Sequence, residues 1–282
     1  MTVKTQIREE TGWTNRPDQP RLAWHAWHAD ERRGVIVRLH GIESHAGWYA
    51  ESSERLARAG YTVYFFDRRG SGRSEGERGD VDHRRSWLND LTAGINDVRW
   101  REDVKTVHLL ANCWGARPAL AHAALSPHGL ASLILMAPAL LTRADFGPTD
   151  KLRIAQDALL NPQQKHRHPI TDGRLFTRDT RWVKMIETDT LALHACTARF
   201  YWQTLRLTKR LPGLLPRVCV PTLALFGGSD QVLDLPRTHE LIRRIPADLL
   251  TVKTYPGQWH MLEFEPDSAR VIDDLLAWIE KR

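Results

Sequence analysis

The chain has 282 residues, 42% of them hydrophobic, a formal charge of +6 and three cysteines. That is enough length and apolar content for one large α/β domain or two small ones, and it excludes a disordered chain or a fibre. Acids and bases interleave along most of the chain without a nucleic-acid recognition motif, and the scattered Cys113, Cys196 and Cys219 exclude a disulfide framework or a paired C-x-x-C metal site.

The first 21 residues are polar and lack the apolar stretch of a signal peptide, and no later run approaches a membrane span. A soluble, cytoplasmic protein with free, reduced thiols is therefore expected. Residues 21–29 alternate weakly and read as an antiparallel edge strand. Apolar runs then predict buried strands over 34–39, 61–66, 106–110, 130–136, 222–226 and 249–255. Helical spacing lies between them: Leu88, Leu91, Ile95 and Val98 repeat at three- and four-residue steps, as do Val271, Ile272, Leu275, Leu276 and Ile279. The alternation predicts an α/β fold, a mostly parallel central sheet flanked by helices on both faces.

Residues 141–217 break this rhythm. They are rich in Arg, His, Trp and Thr, show helical patterns without a core strand, and carry prolines at 148, 162, 169, 212 and 216 that mark turns or helix ends. The expectation is a helical lid, inserted before the strand at 222 and lying over the carboxyl edge of the sheet, with 1–140 and 218–282 forming the core. Trp182, Phe200, Tyr201 and Trp202 in this stretch either line an acyl pocket or fill the lid's own core.

The chemistry begins at Val107 to Ala116, where an apolar strand breaks into Ala111-Asn112-Cys113-Trp114-Gly115 and then a helix. This is the shape of a nucleophile elbow, G-x-S-x-G, with small residues two positions either side because the strained turn brings strand and helix together. The nucleophile here is a thiol. A lone cysteine is more often an inert core residue, so it needs a base and an orienting acid. Gly227-Gly228-Ser229-Asp230 follows the strand at 222, and Pro256-Gly257-Gln258-Trp259-His260 follows the strand at 249. The order nucleophile, acid, histidine, each after a different strand, places all three in carboxyl-end loops, where open α/β sheets build their sites. Asp234 is a nearby rival to Asp230.

Two further segments make the pattern specific: His40-Gly41-Ile42-Glu43-Ser44-His45-Ala46-Gly47-Trp48-Tyr49, and Asp67-Arg68-Arg69-Gly70-Ser71-Gly72-Arg73-Ser74-Glu75-Gly76-Glu77-Arg78-Gly79. With the elbow, the acid loop and the histidine loop, they resemble the monoacylglycerol lipase and lysophospholipase branch of the α/β-hydrolase superfamily from about residue 34 onward. The resemblance implies Cys113, Asp230 and His260 as the triad, and backbone N–H groups of Ile42 and Trp114 as the oxyanion hole. Each such donor is worth about 3 to 4 kcal/mol of barrier. It implies no metal and no cofactor. The cysteine departs from the family's serine; polyhydroxyalkanoate synthases and dienelactone hydrolases also carry an elbow cysteine, the former in much longer chains.

Other motifs have plainer readings. The glycine-rich 69–79 stretch lacks the Gly-Lys-Ser/Thr of a phosphate cradle and reads as a structural loop. His166 and His168 alternate in a polar stretch with no acid or cysteine beside them, which argues against metal. A thiol nucleophile gives a thioester acyl-enzyme, uphill from ordinary esters and nearly level from thioesters. The expected function is a cysteine-dependent acyl hydrolase, foremost a thioesterase on an acyl group carried by coenzyme A or an acyl carrier protein, whose phosphates or acids would suit the positive chain. Transfer or cyclisation onto an amine or hydroxyl, hydrolysis of activated esters or lactones, and non-catalytic binding are the alternatives.

Overall fold

The computed structural model describes residues 7–170 and 172–282; residues 1–6, part of the polar N-terminal stretch discussed above, lie outside them. In chain order the core runs β1 (Arg8–Trp13), β2 (Ala23–His28), β3 (Gly34–Leu39), α1 (Ala50–Arg58), β4 (Tyr61–Phe66), α2 (Arg84–Arg101), β5 (Val107–Asn112), α3 (Ala116–Leu125) and β6 (Leu130–Met136). An insert follows, comprising α4 (Pro148–Leu160), β7 (Lys165–Arg167), α5 (Thr180–Thr188), β8 (Ala195–Thr197), α6 (Ala198–Thr208) and α7 (Leu211–Leu214). The core resumes with β9 (Thr222–Gly227), α8 (Leu235–Ile242), β10 (Leu250–Tyr255) and α9 (Ser268–Ile279).

The eight core strands form one sheet in the order β1-β2-β4-β3-β5-β6-β9-β10. All pairs from β4 to β10 are parallel, and β2 joins β4 antiparallel. This is the mostly parallel α/β sheet that the alternation predicts, and the α/β-hydrolase architecture that the resemblance implies. One expectation needs correcting: the 21–29 segment is antiparallel but is not the edge, because β1 pairs outside it, Arg8 opposite His28. Every residue of β1 is exposed except the half-buried Gly12, so it carries no apolar period to read.

Central strands are continuous runs of buried residues because helices cover both faces. One apolar cluster joins Trp87, Leu91, Ile95 and Val98 of α2 to α3 and to one sheet face. The other joins Val271, Ile272, Leu275 and Ile279 of α9 to the opposite face. The helical periods seen in the sequence are thus the sheet-facing stripes.

The insert leaves between β6 and β9, and besides helices it contains a two-stranded antiparallel ribbon, β7 with β8. These strands have three residues each, too short for a period-2 pattern. The insert is tied to core loops: Leu193 N–H donates to the Glu43 carbonyl at 2.8 Å, His45 meets Asp189 at 2.7 Å, and Thr197 N–H donates to the Gly79 carbonyl at 2.9 Å. Arg199 pairs with Asp80 beside them. Among the described residues no helix is long and apolar enough to cross a membrane.

Candidate active site

Cys113 stands directly after β5, and its backbone takes a left-handed conformation, φ 50°. For a residue with a Cβ this conformation is strained, and it persists only where the surroundings enforce it. They do: the Ala139 N–H donates to the Cys113 carbonyl at 3.0 Å, and the turn leaves no room nearby. A Cβ on Gly115 would lie 2.6 Å from the His40 carbonyl oxygen, and one on Gly41 would lie 3.1 Å from Cys113 Cβ. Gly115 of the elbow is therefore required by contact between the turn and the His40-Gly41 loop. Cys113 is only 4% exposed.

The acid and histidine loops are brought to the same edge. A Cβ on Gly227 would fall 2.2 Å from the Trp259 carbonyl oxygen, so the end of β9 and the loop after β10 touch through a glycine. Asp230 Oδ2 meets His260 Nδ1 at 2.7 Å, with both side chains fully buried. Its other oxygen accepts the N–H groups of Val232 at 2.7 Å and Leu233 at 2.9 Å. Burial opposes ionisation of this carboxyl, but the facing His260 and these bonds hold it below the usual range. Asp234 is elsewhere, capping α8 by accepting the Arg237 N–H at 3.2 Å.

The fully buried His260 has no conventional hydrogen-bond partner for Nε2; the Cys113 thiol is the group beside it. Burial favours the neutral ring, yet Asp230 first and Cys113 next outweigh it and raise the imidazole to about 10. The arrangement can hold a proton on His260 between Asp230 and Cys113.

Of the two oxyanion candidates, the Ile42 N–H makes no hydrogen bond among the described residues. Trp114 lies in the first turn of the short 3₁₀ helix Cys113–Gly115, where an N–H has no partner within the helix. The Trp114 side chain joins core to insert, stacking on Phe200 at 5.4 Å and donating from Nε1 to Thr204 at 3.3 Å. Of the aromatics singled out in the insert, Phe200 is thus buried against the elbow, Trp182 stacks on Phe264 at 4.2 Å, and Tyr201 bonds His168 at 2.7 Å. Trp202, at 38% exposure, is the one turned to solvent.

The histidines of the insert do have partners, contrary to expectation. The fold brings Asp157 to within 2.9 Å of His166, and Cys196 to within 3.9 Å of His168, from positions distant in sequence. Among the described residues no three potential ligands converge. Burial drives the Cys196 thiol far up, so it stays protonated.

Sequence reasoning missed three buried groups around the site. Arg38 on β3 pairs with Glu263, just beyond His260, and Asn112, just before Cys113, donates to the same carboxylate. The Arg38 guanidinium also donates to Ser52 and Ser53 at 2.9 and 3.0 Å. This network ties the elbow to the histidine loop through a wholly buried ion pair. Removing Glu263 alone strands the guanidinium away from water, so Glu263→Ala should cost about 3 to 5 kcal/mol in urea unfolding. Arg38→Met with Glu263→Leu should cost far less.

The second group is Glu43, 3% exposed with neither carboxyl oxygen hydrogen-bonded; burial pushes it up to about 8 against the opposing charge of Arg167. The third is Arg68, considered below. An arginine in a sheet strand or a glycine-rich loop reads as surface, and only the long-range packing reveals otherwise.

The profile of the family described as serine aminopeptidase, S33, matches residues 30–267. Monoglyceride lipase of Rattus norvegicus is 29% identical over 257 residues, covering 89% of this chain and 83% of the relative. Monoacylglycerol lipase of Mycolicibacterium smegmatis is 26% identical, covering 92% of each chain. The solved structure of a soluble variant of monoglyceride lipase from Saccharomyces cerevisiae, in complex with a substrate analogue, superposes with a TM-score of 0.87 at 18% identity over 100% of this chain and 97% of that one.

Proposed function

Since the chain belongs to the S33 serine aminopeptidase family, in the monoacylglycerol lipase-like branch of the α/β-hydrolases, we propose that it is an acyl hydrolase whose nucleophile is Cys113. His260 takes the thiol proton and later returns it to the leaving group or draws one from water; Asp230 holds the ring in the tautomer this needs. The N–H groups of Ile42 and Trp114 receive the oxyanion of the tetrahedral intermediate. Residues 141–217 act as the lid over the acyl group. The observation that carries the reading is the buried Asp230–His260 pair at 2.7 Å with Nε2 left for Cys113.

The acyl-enzyme is a thioester, so the donor that loads it without an uphill step is itself a thioester. Acyl groups on coenzyme A or a carrier protein are the substrate class this favours. The relatives' names favour a second reading, hydrolysis of a monoacylglycerol ester, in which formation of the thioester is the difficult step. An amine or hydroxyl acceptor would turn the same intermediate into transfer.

Incubation with short-chain acyl N-acetylcysteamine thioesters and with monoacylglycerols, followed by mass spectrometry, separates these readings. The expected result is a transient acyl adduct on Cys113, faster turnover of the thioester, and loss of both in Cys113→Ala by a factor of roughly 10⁵ or more. Undiminished turnover in Cys113→Ala would overturn the proposal. Preference for the glycerol ester would favour the second reading, and product diverted to amides by added amine the third.

A further inference from the structure

The Ile42 N–H belongs to the same peptide unit as the Gly41 carbonyl, and two side chains converge on that carbonyl. His40 Nδ1 lies 2.8 Å from the oxygen and Arg68 Nη2 3.0 Å, while the same Nη2 donates to the Ile42 carbonyl at 2.8 Å. The tautomer of His40 follows from its other nitrogen: the Arg68 backbone N–H donates to Nε2 at 2.9 Å, so Nδ1 carries the proton and donates. Burial first, and the Arg68 charge second, keep this ring neutral.

In a trans peptide the carbonyl and the N–H point in opposite directions. Donors that pin the Gly41 oxygen therefore aim the Ile42 N–H away from them. A cation on the carbonyl also polarises the amide and strengthens its N–H as a donor. Arg68 is built for such a position. It is 5% exposed, its guanidinium lies 4.7 Å over the Trp114 ring, and Nε and Nη1 have no partner among the described residues. Nor does any carboxylate of the described residues pair with it at ion-pair distance. A buried, unpaired guanidinium is costly; both carbonyls it donates to lie on the Gly41-Ile42 backbone, and its face lies over the Trp114 ring at 4.7 Å and the Phe200 ring at 5.8 Å.

We propose that Arg68 is a positioning residue of the oxyanion hole: fixed on the Gly41 and Ile42 carbonyls, it orients and polarises the amide whose N–H receives the oxyanion. The inference rests on Cys113 being the nucleophile.

Two reagents separate its effects. A short-chain aldehyde adds to Cys113 to give a thiohemiacetal, with an S–C bond formed and the thiol proton delivered to the aldehyde oxygen, which sits in the hole. Iodoacetamide alkylates the thiolate, releasing iodide, without using the hole. In Arg68→Met, turnover of the acyl N-acetylcysteamine thioester and aldehyde affinity should fall together by roughly tenfold, short of the 10² to 10³ lost with a whole donor. KM and the alkylation rate should change much less. Arg68→Lys, with one ammonium for the two carbonyls, should recover part of both losses and serves if the methionine variant folds poorly. Unchanged aldehyde affinity in either variant overturns the inference, as does an alkylation rate that falls in step with turnover, which would place the effect on the thiolate. Wild-type protein that takes up neither reagent at Cys113 overturns the nucleophile reading itself.

Discussion

Cys113→Ser should lower thioester turnover by roughly a thousandfold, a loss of about 4 kcal/mol in transition-state stabilisation. The elbow fixes where the side-chain atom sits: φ is 50° at residue 113, and the turn lies tightly against the His40-Gly41 loop at Gly115 and Cys113. The backbone has no freedom to advance a shorter side chain. A serine oxygen, on a shorter bond, would stand back from both His260 and the carbonyl under attack. It is also a much weaker acid than a thiol, so attack would need fuller proton transfer to His260. Steady-state kinetics with matched thioester and oxyester substrates measure the effect. Retention of thioester activity within a few fold would refute a site specialised for sulfur.

How far such a site could be read in advance depended on how local its signals are. The elbow, the acid loop and the histidine loop are each short strings whose geometry is set by neighbours in sequence, so Cys113, Asp230 and His260 could be named and the fold brings the last two together. The choice between Asp230 and Asp234 was not local. Four residues apart, both follow β9, and only the start of α8, which takes Asp234 as its cap, separates them. Strands with continuous apolar runs were legible to within two residues, as at 107–112. The exposed β1 and the three-residue ribbon strands were not, because pairing partners and not their own side chains make them strands. Least legible were the buried charges. Arg38, Arg68 and Glu263 have the composition of a surface, and what buries them is the meeting of segments up to 225 positions apart.

Asp230→Asn should lower kcat/KM by roughly 10⁴-fold while leaving the fold nearly intact. The asparagine oxygen can still accept the N–H groups of Val232 and Leu233, as Oδ1 does now. Its amide N–H₂ then faces His260 Nδ1, which has to accept, and the ring proton moves to Nε2. That nitrogen can no longer receive the Cys113 proton. The pH dependence should shift as well. In the native protein burial pulls the ring down, but Asp230 and Cys113 raise it to about 10, so the protonated ring adds stability that is full below its ordinary value near 6.5 and fades as pH climbs towards 10. Without the carboxylate the dominant raising influence is gone. The alkaline limb of kcat/KM, where His260 loses the proton it returns to the leaving group, and the alkaline loss of stability should therefore both move to lower pH in the variant. Asp234→Asn, altering only a helix cap, should leave kcat/KM and both limbs where they are; the reverse pattern between the two variants would assign the acid to Asp234.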